Sequence, residues 1–384
     1  MTSPMPTDYK MSVATQPPTQ RLHSLDGLRG LAALVVVLHH ALLVVPALAA
    51  PYYDQGPATL WSTEWWLSHT PIHALWEGKA AVYVFFILSG FVLQTLVGRS
   101  GFNWAAYYPR RLLRLYLPVW GAVLFTVATY ILIPRVGVTS SLWLAERPET
   151  LTLGAFVRDM TLIFGNGGLA SPLWSLRFEI LFSLSLPLYV WASKALPGLT
   201  YLKLAGCLVI ITVGGCLNNT TLLYVPMFLI GTIMAAQGSR FGTVGARIGI
   251  TKSGWPIAMG VAVLLLASNG MVGGLGVSRA LQGATAGLTT VGAGIMVLAA
   301  IHWSPARRIL ETKAVRWLGT ISFSLYLIHE PIVVAFGFVF GPNHAVLAVA
   351  TSIIVSLLVA VIFYHLVEKP SHKLSKKAGW RRQK

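Results

Sequence analysis

"LDGLRGLAALVVVLHH", residues 25–40, has the composition of the start of a membrane helix, interrupted by Arg29 at its mouth and by His39 and His40 at its end. Arginine at the centre of a bilayer costs about 2.5 to 3.5 kcal/mol on insertion scales, so ionisable groups there are usually tied to a cavity or a partner. Whether this run is a span, and what its polar letters do, depends on the rest of the chain.

The 384 residues are 55% hydrophobic and 11% charged, against roughly 25% charged in soluble domains, and the mean hydropathy is +0.67. These totals predict an all-α integral membrane protein with no room for a large soluble domain. Ten apolar stretches approach the length needed to cross about 30 Å, near residues 28–48, 80–98, 113–133, 173–193, 202–217, 222–237, 255–270, 283–301, 318–340 and 345–367. An even count puts both termini on one side. With that side cytoplasmic, 23 of the 29 Lys and Arg fall in the inner segments, so the positive-inside rule accounts for the net charge of +17 without nucleic acid.

Residues 1–21 are rich in Pro, Ser and Thr and predict a disordered cytoplasmic tail; 22–374 form the transmembrane domain, and 375–384 a basic cytoplasmic tail. "PALAA" after the first run resembles a signal-peptidase site, but the run is longer than a typical signal core, which predicts a retained helix. Two outer loops are long, 49–79 and 134–172. The first carries Trp61, Trp65, Trp66 and Trp76, suited to an interfacial belt or to stacking on a sugar; the second contains "LTLGAFVRDMTLIF", a surface-lying or re-entrant helix by its spacing. Cys207 and Cys216, nine apart, fall on opposite faces of a helix, so neither a disulfide nor a metal site is expected.

Arg29 and His40 are eleven residues apart, about three turns and a rise of about 16 Å, so one helix face carries a guanidinium near the inner surface and an imidazole near mid-depth. His39 lies about 100° further round and reads as a partner of a neighbouring helix. In "GTISFSLYLIHEPI" (319–332), His329 reaches a similar level, with Tyr326 one turn and Ser322 two turns before it, while Glu330 faces another way; a polar bundle seam is the plain alternative. "SPLWSLRFEILF" (171–182) places Arg177 and Glu179 toward the outer side, where the acid orients a histidine or hydroxyl, or pairs with a basic neighbour. "YYPRRLLRLYLP" (107–118) sets Arg110 and Arg111 one turn before Arg114, a fork suited to phosphate or to anionic lipid. A cationic inner mouth with histidines beyond it suits a long ligand with a phosphorylated head and a reactive tail, the shape of a coenzyme A thioester.

With these motifs in hand the sequence resembles the membrane acyltransferase-3 family. The resemblance rests on Arg29 with His40, "FFILSGF" (85–91), Arg111 with Arg114, Trp174 and Ser175 followed by Glu179, "SLYLIHEP" (324–331), and Tyr364 followed by "EKP" (368–370). It covers residues 22–374. It implies an acyl-CoA-dependent O-acyltransferase, most simply an acetyltransferase using acetyl-CoA and no permanently bound cofactor. Its acceptor would be a hydroxyl of a carbohydrate, such as an extracytoplasmic surface polysaccharide or its lipid-linked precursor. It also implies a multi-pass protein of the bacterial cytoplasmic (inner) membrane, in contact with membrane lipids; the residues neither require nor forbid a homo-oligomer. Arg177 stands where the family usually has a small or neutral residue, and no esterase-like domain follows the last span, which implies a single-domain enzyme.

On this reading Arg29, Arg110, Arg111 and Arg114 hold the donor, and His40 is the general base or a transient acyl carrier. His329, Tyr326 or Ser322 stabilise the oxyanion, Glu179 positions the base or the sugar, and Trp174, Ser175 and Arg177 border the substrate. A precursor flippase would need no histidine at mid-depth, whereas a proton-coupled secondary transporter would explain buried titratable groups as well. It leaves the arginine fork and the absence of an internal repeat unexplained.

Overall fold

The structure, a computed structural model, describes residues 22–380 except 54, 136–138, 140 and 163–166, with side chains as far as residue 378. The predicted tail 1–21 and the end of the basic tail, 381–384, lie outside the described residues. Among the described residues every regular element is helical. In chain order the elements used below are α1 (His23–Leu42), α2 (Gly78–Val97), α3 (Trp104–Leu132), α4 (Leu142–Ala145), α5 (Leu153–Thr161), α6 (Leu173–Leu184), α7 (Leu186–Lys194) and α8 (Thr200–Cys216). They continue with α9 (Thr220–Ala236), α10 (Gly238–Ile248), α11 (Gly254–Leu266), α12 (Ala286–His302), α13 (Lys313–Phe340), α14 (Ala345–Phe363) and α15 (Lys369–Trp380).

Among the described residues seven helical segments are long and apolar enough to cross a membrane, nine if each of two bent pairs is one span. The molecule is an all-α multi-pass membrane protein. The bends are α6 to α7, 67°, where Pro187 starts the second helix, and α9 to α10, 85°, at Gln237–Gly238. The stretch expected near 255–270 forms α11, whose 13 residues rise only about 20 Å; the chain turns at Ala267 and runs on through a glycine-rich segment, Gly270 to Gly276.

Side chains close the helix ends. Asn103 accepts from the Ala105 and Ala106 amides at the start of α3, Asn219 does the same for α9, and Glu77 caps α2 through Lys79 N, 3.0 Å. The loop helix expected from "LTLGAFVRDMTLIF" is α5; Tyr116 and Trp120 of α3 donate to its Thr161 and Met160 carbonyls.

α13 is the central rod: 72% of its apolar window is buried, against 22% for Pro197–Cys216. Its closest partner is α1. A methyl group on Gly30 would stand 2.5 Å from the Gly319 amide nitrogen, so the two backbones touch there. Lipid offers apolar side chains as good an environment as a protein core does, so backbone approach at small residues is what favours such a pair. Ten residues beyond the glycines on each helix, His40 meets His329. α1 and α13 therefore run parallel and in register.

Candidate functional site

Two polar groupings lie along this helix pair. At the glycine end, α1 contributes Arg29, α3 Arg111 and Arg114, and α6 Glu179, while Glu368 follows α14. Arg111 Nη2 donates to Glu179 Oε1 and its Nε to Ser183 Oγ (3.0 Å), and Ser89 Oγ donates to the same Glu179 oxygen (3.0 Å). Glu368 accepts from the Ser324 amide (3.1 Å) and hydroxyl (2.5 Å) and interacts electrostatically with Arg114 and Arg29. Arg29 in turn interacts with Asp26, Glu179 and Arg111. Glu179, expected toward the outer side, thus belongs to the arginine group, because the inward face of α6 aligns Ser175, Glu179 and Ser183 four residues apart and Arg111 of α3 reaches the last two. Arg114 is exposed and Arg29 half-buried.

At the other end His40 Nδ1 lies 2.8 Å from His329 Nε2, and His329 Nδ1 lies 3.0 Å from the Leu325 carbonyl oxygen. A carbonyl only accepts, so His329 Nδ1 carries the proton and, in the neutral pair, Nε2 is the acceptor. His40 Nδ1 must then be the donor, which leaves the lone pair of His40 on Nε2. His40 sits two residues before the end of α1, nearer the end than the expected middle, and borders a cavity of about 520 Å³ lined with Tyr52, Tyr53, Trp143, Glu146 and Arg147. All these residues come from the two long loops. The Trp143 indole stacks on His40, 5.6 Å between centroids and 28° between planes.

The other expected residues divide. Tyr326 is buried, 6.1 Å from the His329 ring, and its hydroxyl bonds Ser175 Oγ, 2.6 Å. Ser322 is spent on its own helix, donating to the Gly319 carbonyl, 2.9 Å. Trp174 packs against Tyr224, 4.7 Å, in an aromatic core with Phe86 and Phe178. Arg177 is exposed on α6, and Arg110 is half-buried with its Nε lacking a hydrogen-bond partner among the described residues. Neither Trp174, Arg177 nor Ser322 is brought to the histidines. His39 donates to the Trp76 carbonyl, 3.0 Å, so its partner is the first long loop and not, as expected, a neighbouring helix. The tryptophans of the first loop separate: Trp61, Trp65 and Trp66 pack on one another, whereas Trp76 is buried.

Several site residues escaped the sequence reading. Arg147 donates from Nη1 to Glu330 Oε1, 2.9 Å, and Glu330 Oε2 accepts from the Ser171 amide, 3.0 Å. The signal was present: Arg147 is one of the few basic residues on the side that the charge bias leaves poor, and Glu330 adjoins His329. A second buried group, Glu77, His73 and Tyr52, reaches the cavity from the first loop, with His73 Nε2 2.5 Å from Glu77 Oε2 and 3.2 Å from the Tyr52 hydroxyl. Burial opposes the charge on Glu77, but His73, with His39 and Lys79 further off, overrides it and holds the carboxyl at about 2.

Comparison with known proteins agrees with the motifs. The acyltransferase-3 family model, described as an acyltransferase domain, matches residues 22–365. The protein named Acyltransferase MdmB of Streptomyces mycarofaciens is 30% identical over 187 residues, 47% of this chain and 42% of that one. The match thus spans about two fifths of the length of this curated relative. No solved structure matches the chain. With the family model covering nearly all of the helical domain, the chain belongs to the acyltransferase-3 family of integral membrane proteins.

Proposed function

We propose that the protein is an O-acyltransferase that moves an acetyl group from cytosolic acetyl-CoA to a hydroxyl of a carbohydrate acceptor, at a bacterial cytoplasmic membrane with the arginine end facing the cytosol. One observation carries this reading. A single helix holds Arg29 in a cationic group and, about 16 Å along the same face, holds His40 between a second histidine and a cavity walled by the long loops. The donor's phosphates would lie against Arg29, Arg111 and Arg114, with the pantetheine arm directed toward His40.

The acceptor hydroxyl would enter the cavity beside Tyr52 and Tyr53, aromatic side chains suited to a sugar ring, while Trp143 backs His40. His40 Nε2 takes the hydroxyl proton as the oxygen attacks the thioester carbonyl. The carbon–sulfur bond then breaks, and the proton passes from the imidazole to the departing thiolate. His329 holds the base in the required tautomer, and Tyr326, whose hydroxyl is bonded to Ser175 Oγ and the Pro172 carbonyl, would have to leave the Pro172 carbonyl to donate to the oxyanion.

Purified protein incubated with acetyl-labelled CoA thioester, with and without a sugar acceptor, tests the proposal. Acceptor-dependent label on product, lost by about 10²-fold or more in His40→Ala, is expected, and label trapped on His40 without acceptor would identify an acyl-histidine route. Equal product from wild type and His40→Ala refutes the reading.

A further inference from the structure

A closed circuit of contacts surrounds His40. Its Nδ1 edge meets His329, 5.0 Å between ring centroids, and its face stacks on Trp143. The Arg147 guanidinium caps the indole, 4.7 Å from the ring centroid, and its Nε donates to the Trp143 carbonyl, 3.1 Å. Arg147 then reaches Glu330, the residue after His329 on α13. Glu330 is fully buried and both its oxygens are engaged, one by Arg147 and the other by the Ser171 amide at the end of the same loop. The path starts on α13, crosses two imidazoles, an indole and a guanidinium, and returns to α13 one residue further on.

A buried ion pair is seldom a net source of stability, so its chief effect here is geometric. The segment bearing Trp143 is held to the helix pair by Leu144, which packs against Gly337 of α13, and by Ser141 Oγ, which donates to the Leu43 carbonyl at 2.6 Å; the Arg147–Glu330 pair adds the contact that sets the angle of the indole on the imidazole. We propose that Arg147 and Glu330 are positioning residues that hold Trp143 against His40, fixing the imidazole plane so that Nε2 addresses the cavity. The catalytic consequence rests on the acyltransferase reading; the positioning itself does not.

The test has one arm for each. In full-length protein in nanodiscs, carbethoxylation of His40 by diethyl pyrocarbonate is timed by peptide mass, with exposed His344 and His365 as internal references. Arg147→Gln, Glu330→Gln and Trp143→Ala should each speed His40 modification by about tenfold, and the Arg147→Gln/Glu330→Gln and Arg147→Gln/Trp143→Ala doubles should go no faster than the singles, because one clamp is released in every case. Should Glu330→Gln fail to fold, the two loop variants still decide the matter. Rates within twofold of wild type, or effects that multiply in the doubles, overturn the proposal. In the transfer assay turnover should fall in Arg147→Gln with the acceptor KM unchanged. A raised KM at unchanged turnover would make Arg147 an acceptor contact instead and also overturns it. Absence of any transfer in the wild type, with the modification pattern intact, would refute the enzyme reading alone.

Discussion

Replacing His329 by leucine tests how much of the chemistry depends on the tautomer of His40. The substitution keeps an apolar volume on α13 but removes the nitrogen that accepts from His40 Nδ1 at 2.8 Å. A buried donor left without its acceptor costs about 1 to 3 kcal/mol. That energy now holds the lone pair on Nε2, and losing it leaves the ring free to protonate either nitrogen or to turn. At 1.36 kcal/mol per decade, the competent form falls by roughly 5- to 160-fold. Transfer from labelled acetyl-CoA should slow by that factor, while CoA affinity stays unchanged because the arginine group lies about 15 Å away along the helices. Turnover within twofold of wild type in a folded His329→Leu protein would show that the histidine pair does not set the base.

Other perturbations separate the parts of the site. Gly319→Ala or Gly30→Ala should force α1 and α13 apart, costing about 1 to 3 kcal/mol in thermal unfolding and slowing transfer, whereas Gly294→Ala, which meets nothing within 4 Å, should do neither; equal melting of all three would refute the close approach. Arg114→Ala should weaken CoA binding about tenfold by equilibrium dialysis, and Arg177→Ala should leave it unchanged; the reverse order would remove the arginine group from donor binding. Glu77, held at about 2 against an ordinary 4.5, contributes about 3 kcal/mol that is present above pH 4.5 and lost as pH falls toward 2. Melting curves between pH 5 and 2 should therefore fall more steeply for wild type than for Glu77→Gln, and parallel curves would refute the assignment.

The sequence marked His40 and His329 because an imidazole in an apolar run is conspicuous, and helical periodicity alone put Arg29 on the face of His40. Their pairing was not legible: it depends on which helices touch, and the glycines that decide this, Gly30 and Gly319, look like ordinary small residues until their backbones meet. Glu179 was legible as a buried acid but not in its allegiance, since Arg111 reaches it from another helix. Arg147, Trp143 and Tyr52 were hidden for a different reason. They lie in loops with no hydrophobic period to fix their facing, and only the short helices and caps of the folded loop aim them at the cavity.

The matched count from Gly30 to His40 and from Gly319 to His329 works as a spacer gauge. Substituting any aliphatic residue within either stretch alters packing locally, but inserting or deleting one residue swings the imidazole beyond it by about 100° and displaces it by about 1.5 Å. One such indel would turn one histidine from its counterpart while leaving hydropathy and net charge untouched. The same indel in the other stretch would not restore the pair, because two parallel helices turning by the same roughly 100° carry their imidazoles to opposite sides of the seam.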